Sequence, residues 1–539
     1  MVKKVAIIGA GSCGLPAIKC CLDEGLEPTC FEKSDDIGGL WKFQDDAIEG
    51  KASIYKSLTI NTSKEMMTFS DFPIPEDYPN YMHNSQVMDY FRSYAKHFGL
   101  LPYICFKTTV LSVTKQPDFS ITGQWNVVTE TSGIKESFVF DAVLVCTGHH
   151  VEPYLPLASF PGLKKFKGKI LHSWEYKHPG NFRDKRVVMI GLGNSGADIT
   201  VDLSHAVKKV FLSTRSGSWI ISRVSCNGYP MDVTYFTRFR TIVRHIIPMC
   251  LLNMWEENKV NSRFDHTNYG LKPSHRFFSK YPIVGDDLPN GIISGRIAVK
   301  PDVKEFTETA VIFEDGTKEE NIDAVIFATG YSFSFPFLEE SVIKTKNNHV
   351  SLYKYVFPPF LEKPTLAMIG LLQPLGAIMP IAELQVRGAT RVFKGLIKLP
   401  PEDVMMADII RKKKENEKRF DLVGKAQHIA LQVQYVNYMD EISSFSGVKP
   451  NMLSLLLKDP KLAWEVFFGP CTPIQFRLMG PGKWNGAREA ILSQRKRIIK
   501  ATKTRDPPND SKETPPALGF LFLKSLWFLA FVMAIFVYL

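Results

Sequence analysis

Two glycine turns constrain this chain more than any other feature. The apolar run Val2 to Ile8 enters Gly9-Ala10-Gly11-Ser12-Cys13-Gly14, after which Leu15 to Leu22 has helical spacing and Gly25 ends the helix. The same order returns at Arg186 to Ile190, Gly191-Leu192-Gly193-Asn194-Ser195-Gly196 and Ala197 to Leu203. In such a turn the first glycine permits the tight bend, the second lets the backbone approach a pyrophosphate, and the third lets the helix pack on the strand. The pyrophosphate then sits on the helix N-terminus, where unpaired N–H groups and the helix dipole favour negative charge. Each half also closes alike, with Phe140 to Gly148 and Ile322 to Gly330 both reading as buried strands that end in Thr-Gly. The opening and closing glycines are equally far apart in the two halves, Gly9 to Gly148 and Gly191 to Gly330. One such turn is weak evidence, but two in matching context predict an α/β chain with two Rossmann-like dinucleotide-binding domains.

The residues after each turn separate the two ligands. The strand Pro28 to Phe31 ends at Glu32, about 20 residues past Gly14, where a carboxylate can accept hydrogen bonds from ribose hydroxyls and repels a 2′-phosphate. The strand Val210 to Thr214 ends instead at Arg215, at the matching place after Gly196, where a guanidinium can pair with phosphate. The first turn therefore suits FAD and the second NADPH. Gly38-Gly39-Leu40-Trp41 follows the first ribose acid, and its glycines suit the close approach of a large flat cofactor. On the second helix Ala197 and Asp198 complete the candidate NADPH set.

At 539 residues the chain is long enough for several folding units, and 45% hydrophobic residues exclude disorder along its length. Its nine cysteines include no CxxC and no metal-ligand spacing, so no metal is expected. The formal charge of +11 comes from scattered basic residues without a nucleic-acid motif, so no nucleic-acid partner is expected. The final segment, Leu518 to Leu539, carries one charge, Lys524, and as a helix would measure about 33 Å against a hydrocarbon core of about 30 Å. A polar, proline-rich linker over 504–516 detaches this segment from any core, and 517–539 is expected to be a transmembrane helix.

With these residues in place, the chain resembles the flavin-containing monooxygenases. The most specific match is Phe166-Lys-Gly168-Lys-Ile-Leu-His172-Ser-Trp-Glu-Tyr176, which fits the family fingerprint FxGxxxHxxx(Y/F) at every fixed position. Glu27 to Trp41, Asn61 to Met67, Cys146 to His149, Phe327 to Tyr331 and Gly469 to Pro473 are similar too. The resemblance implies a FAD domain in two parts, 1–154 and 331–445, split by an NADPH domain over 155–330 that carries an insertion at 217–295. It further implies a membrane-associated region at 446–503 and a single anchor in the endoplasmic reticulum membrane, with the catalytic body cytosolic. NADPH would reduce FAD, dioxygen would add to give a C4a-hydroperoxyflavin, and small lipophilic amines, thioethers and other soft nucleophiles would take up oxygen. Asn61 is the implied catalytic residue, with Asn61 and Thr62 at the flavin and Ile60 and Asn61 at the nicotinamide nucleotide. His172 is expected to be structural.

Three positions depart from the family pattern. Trp174 stands where an arginine is usual and removes a cation. Pro16, read as lying in the second helical turn, is expected to kink the first helix. Gly388 replaces a tryptophan after Arg387 and is expected to leave a space or a flexible joint. The competing readings are Baeyer–Villiger oxygenation of ketones, suggested by Ile60-Asn61-Thr62-Ser63, and a non-catalytic flavoprotein or uncoupled NADPH oxidase. A disulfide reductase is discounted because its only adjacent cysteines, Cys20-Cys21, lie on a helix. A homo-oligomer is left open.

Overall fold

A computed structural model describes residues 2–345, 348–419 and 431–505. Its framework is two five-stranded parallel sheets. The first runs Leu366–Met368, Ala142–Val145, Lys4–Ile8, Glu27–Phe31, Ile104–Cys105. The second runs Lys169–His172, Ala324–Phe327, Arg186–Ile190, Lys209–Ser213, Ile297–Lys300. Written in this direction the two orders correspond strand for strand. They differ in one outer strand, which the first sheet takes from the chain long after its closing glycine and the second from the chain just before its opening turn. The strands are short and almost wholly buried, as befits parallel sheets covered on both faces.

The correspondence extends to the decorations. Before each closing strand lies a three-stranded antiparallel sheet, Thr108–Lys115, Trp125–Thr131 and Ile134–Phe140 in one half, and Val303–Phe306, Val311–Phe313 and Lys318–Glu319 in the other. The hairpin between Thr131 and Ile134 turns on Ser132 and Gly133, both at positive φ, which matches the twist of the flanking strands. Equal lengths between opening and closing glycines thus reflect like topology.

Helix Gly14–Asp23 packs against helix Ile378–Phe393, which packs in turn on Tyr435–Ser446, so late parts of the chain complete the core of the first sheet. Within 217–295 the chain forms the helices Met231–Tyr235, Arg238–Ile246 and Met249–Asn261. Residues of this stretch reach across to the Asn61 loop. The expected anchor over 517–539 lies outside the described residues, as does most of the 504–516 linker. Among the described residues, no helix is long and apolar enough to cross a membrane.

Candidate active site

The first turn leaves its strand at Gly9, where φ is +99° and an added Cβ would stand 2.9 Å from the Cys146 carbonyl oxygen. The second leaves at Gly191, where φ is +107° and a Cβ would stand 2.6 Å from the Ala328 carbonyl oxygen. Each carbonyl belongs to the residue two before its closing glycine, Gly148 or Gly330. The opening glycine and the end of the closing strand are therefore one packing unit, which is why they recur together. At the third glycines a Cβ would lie 1.9 Å from the Gly9 oxygen for Gly14 and 2.1 Å from the Gly191 oxygen for Gly196, so both helices press on their own turns.

The middle glycines have no such internal reason. A Cβ on Gly193 would meet nothing within 4 Å, and one on Gly11 would meet only Gly39, at 3.6 Å. The fold leaves bare backbone there, which is the condition for a phosphate to approach. Helices Gly14–Asp23 and Asn194–Ser204 have no side-chain cap and no acid in the first turn, so no side chain closes either start to an outside anion. In the first helix the Leu15 N–H already donates to the Gly11 carbonyl, and Pro16 has no N–H. Both turns fit a dinucleotide.

Around the first turn the sequence-predicted residues come together. Glu32 is buried, and its Oε2 accepts the Ala10 N–H at 2.7 Å while its Oε1 accepts the Ser34 N–H and hydroxyl, each at 2.8 Å. The Gly38 N–H donates to the Ala10 carbonyl, and Gly39–Trp41 forms a single 3₁₀ turn facing Gly11. Cys13 is buried, which pushes its thiol up to about 11, and its sulfur lies 2.5 Å from where a Cβ on Gly370 would stand. Gly370, just past Leu366–Met368, was missed by sequence reasoning, although an apolar strand followed by glycine was the signal used elsewhere.

Arg215 leaves the strand beside the second turn, and the Ser213 carbonyl accepts the Gly191 N–H. Arg215 is exposed and makes no ion pair among the described residues. Partial desolvation, and then the charge of Arg215 lying near enough to act, hold the Lys280 ammonium below the usual range, so the neighbourhood carries a second cation that the sequence reading did not supply. The Asn194 side chain accepts the Val284 N–H at 3.1 Å. Ala197 is in the core. Asp198 accepts the Tyr55 hydroxyl at 2.9 Å, and burial above all raises its carboxyl to about 6.

Asn61 is half-buried, and its Oδ1 accepts from the Arg223 guanidinium. The amide NH₂ remains as its donor end. Arg223 is held by Asp286 at 3.1 Å, and Asp286 also accepts from the Ser222 hydroxyl. Asn61 is thereby tied to the segment whose Val284 meets Asn194 at the second turn. The Ile60 side chain is buried in the core, and its N–H donates to the Met82 carbonyl. Arg223, Lys280 and Asp286 all lie in the aperiodic 217–295 stretch, where sequence spacing offered no signal.

The fingerprint residues hold the fold together. Gly168 admits the Phe166 ring and the Asp323 carbonyl, which would stand 2.5 and 2.8 Å from its Cβ. His172 is 1% exposed, its Nδ1 accepts the Trp174 N–H, and burial pushes its imidazole down to about 4. Tyr176 donates to Asp202 at 2.7 Å. Trp174, which stands where the family pattern has an arginine, donates its indole N–H to the Lys51 carbonyl at 2.8 Å and so ties the two halves.

Two expectations are corrected. Pro16 does not kink its helix, because the helix begins at Gly14 and places Pro16 in the first turn, where no N–H has an intrahelical partner to lose. Gly388 leaves neither space nor joint. Helix Ile378–Phe393 is continuous through it, and Ser446 Oγ and the Phe445 ring close in to 3.0 and 3.1 Å of where its Cβ would be. Cys20 and Cys21 are buried free thiols, with Cys20 pushed up to about 12 by burial.

Comparison with known proteins agrees with this geometry. The family model "Flavin-binding monooxygenase-like" matches residues 2–539. The chain is 58% identical over 534 residues to flavin-containing monooxygenase 5 of Rattus norvegicus, covering 99% of both chains. It is 56% identical over 536 residues to flavin-containing monooxygenase 2 of Homo sapiens, again covering 99% of both. Among solved structures, S-allyl-L-cysteine S-oxygenase from Allium sativum superposes with a TM-score of 0.64 at 24% identity, over 93% of this chain and 99% of that one. Cyclohexanone monooxygenase from Rhodococcus sp. Phi1 bound to NADP+ does so with 0.60 at 17% identity, over 83% and 98%, so both share the fold. Two matched dinucleotide turns, the fingerprint between them and end-to-end relatives lead to one conclusion: the chain belongs to the flavin-containing monooxygenase family and is a monooxygenase that uses FAD and NADPH.

Proposed function

We propose that the first turn holds FAD, the second holds NADPH, and the enzyme oxygenates soft nitrogen and sulfur nucleophiles beside Asn61. The observation that carries this is the contrast among the glycines, two in each turn being demanded by internal contacts while Gly11 and Gly193 stay open for a ligand. When bound, the flavin reduced by NADPH activates dioxygen, so that one oxygen atom goes to the substrate and one to water. The protein binds and orients. Glu32 uses three of about four acceptor positions on its own turn and keeps one, on Oε2, for a ribose hydroxyl. Arg215 and Lys280 offer a 2′-phosphate two cations. Arg223 occupies the oxygen of the Asn61 amide, so the NH₂ is the end turned to the reacting groups, where it can donate to developing negative charge.

We also infer a single C-terminal anchor at 517–539 in the endoplasmic reticulum membrane, supported by the length and apolarity of Leu518 to Leu539. Alkaline carbonate extraction of the full chain and of one ending at Arg505 checks it.

Substrate class is tested by incubating the FAD-loaded protein and NADPH with a tertiary amine, a thioether and a cyclic ketone, quantifying products and hydrogen peroxide. One N-oxide or S-oxide per NADPH is the expected result. Ester or lactone in place of these would transfer the enzyme to the ketone-oxygenating class, and peroxide alone would make it an oxidase.

A further inference from the structure

The Asn61 loop is gripped twice by the 217–295 segment, once through Arg223 and once through a residue that no fingerprint contains. Asp232, in helix Met231–Tyr235, is 1% exposed. Its Oδ2 accepts the Ser63 N–H at 2.6 Å across 169 residues of chain, and its Oδ1 accepts its neighbour Val233 N–H at 2.9 Å. Ser63 makes no capping bond of its own, and both its N–H and its hydroxyl interact with the Asp232 carboxylate, which is what holds this peptide. Ser63 is two residues past Asn61, within about 8 Å along the chain. The two grips are linked, because the Tyr81 hydroxyl donates to the Arg223 carbonyl at 2.8 Å and accepts the Met231 N–H at 3.2 Å.

We propose that Asp232 is a positioning residue for the Asn61 amide, fixing the backbone two residues away while Arg223 fixes the side chain. This deepens, and rests on, the role given to Asn61 above. Asp232 forms no ion pair within 4 Å among the described residues, and burial pushes its carboxyl up to about 6. A neutral amide would bridge the two segments at lower desolvation cost, so a buried charge here points to a demand for a strong, short bond to the loop.

The test compares Asp232→Ala, Asp232→Asn and Asn61→Ala as full-length, FAD-loaded proteins. Its readouts are hydrogen exchange at the Ser63 amide, flavin content, and thioether oxygenated per NADPH consumed. Asp232→Ala should raise Ser63 exchange tenfold or more and cut the coupled fraction at least fivefold through kcat, with KM for NADPH within twofold. Asp232→Asn keeps a carbonyl acceptor and should recover most of the protection and of the coupling, with a residual two- to threefold loss. Normal coupling in both Asp232 variants, with Asn61→Ala uncoupled, overturns the proposal alone. Normal coupling in Asn61→Ala overturns the reading on which it rests. If Asp232→Ala fails to retain flavin, Asp232→Asn decides: the two- to threefold loss with full flavin content supports the proposal, and unchanged coupling refutes it.

Discussion

Replacing Gly193 by alanine separates folding from binding in one atom. The added Cβ meets nothing within 4 Å, and the residue sits at φ −112°, a conformation alanine adopts without strain. Removing a glycine where the backbone tolerates it stabilises a fold by about 0.4–1 kcal/mol through the unfolded chain, so the melting temperature should hold or rise slightly. NADPH affinity should fall, because the methyl group stands where the pyrophosphate must approach the backbone. Displacing the phosphate from one charge-assisted N–H bond costs about 1.5–3 kcal/mol, or roughly ten- to 150-fold in Kd. Flavin content should not change, since Gly193 lies in the second turn. The assay is NADP+ titration of the FAD-loaded protein followed by flavin absorbance, alongside differential scanning calorimetry. Gly196→Ala is the opposite control, because its Cβ would lie 2.1 Å from the Gly191 carbonyl oxygen and the turn itself must distort. An unchanged Kd in stable Gly193→Ala would refute the placement of the pyrophosphate over this glycine.

Arg215→Ala should weaken NADPH about tenfold or more and leave NADH use nearly unchanged, read as the ratio of kcat/KM for the two nucleotides; equal use of both by the unaltered protein would refute the assignment. Trp174→Phe removes the bond to the Lys51 carbonyl and should cost about 0.5–1.5 kcal/mol of stability in denaturant titration, with KM for NADPH within twofold. Asp232 is raised in the fold from 3.8 to about 6, so its contribution to stability is complete below pH about 4 and is lost as pH rises through about 6. Asp232→Asn should therefore gain on the unaltered protein between pH 4.5 and 7, by about 2 kcal/mol, in denaturation midpoints measured at both values.

The parallel-sheet framework was legible because its physics is local. A buried strand, a turn whose first and third glycines admit only hydrogen, and a helix of regular apolar spacing follow one another directly in the chain, and the Gly9 and Gly191 turns stand where those signals put them. Glu32 was legible by its distance from Gly14, although its three bonds within the protein were not. Pro16 was misread because it was assigned to the second helical turn, whereas the helix begins at Gly14 and places this proline in the first turn, where it is harmless. Gly388 was misread because the sequence does not show Phe445 and Ser446 filling the space across the helix pair. What spacing could not supply was the long-range contacts, Arg223 to Asn61 across 162 residues of chain and Asp232 to Ser63 across 169. They come from a stretch with no hydrophobic period, and only the folded chain brings them to the Asn61 loop.

The most direct test of the account is stopped-flow absorbance of the detergent-solubilised, FAD-loaded protein, reduced with NADPH and mixed with oxygen in the absence of substrate. A transient absorbance that persists for seconds or longer before oxidised flavin returns, and that a thioether discharges to one sulfoxide per NADPH, is the predicted result. Immediate return to oxidised flavin with stoichiometric hydrogen peroxide, whether or not a thioether is present, would contradict it.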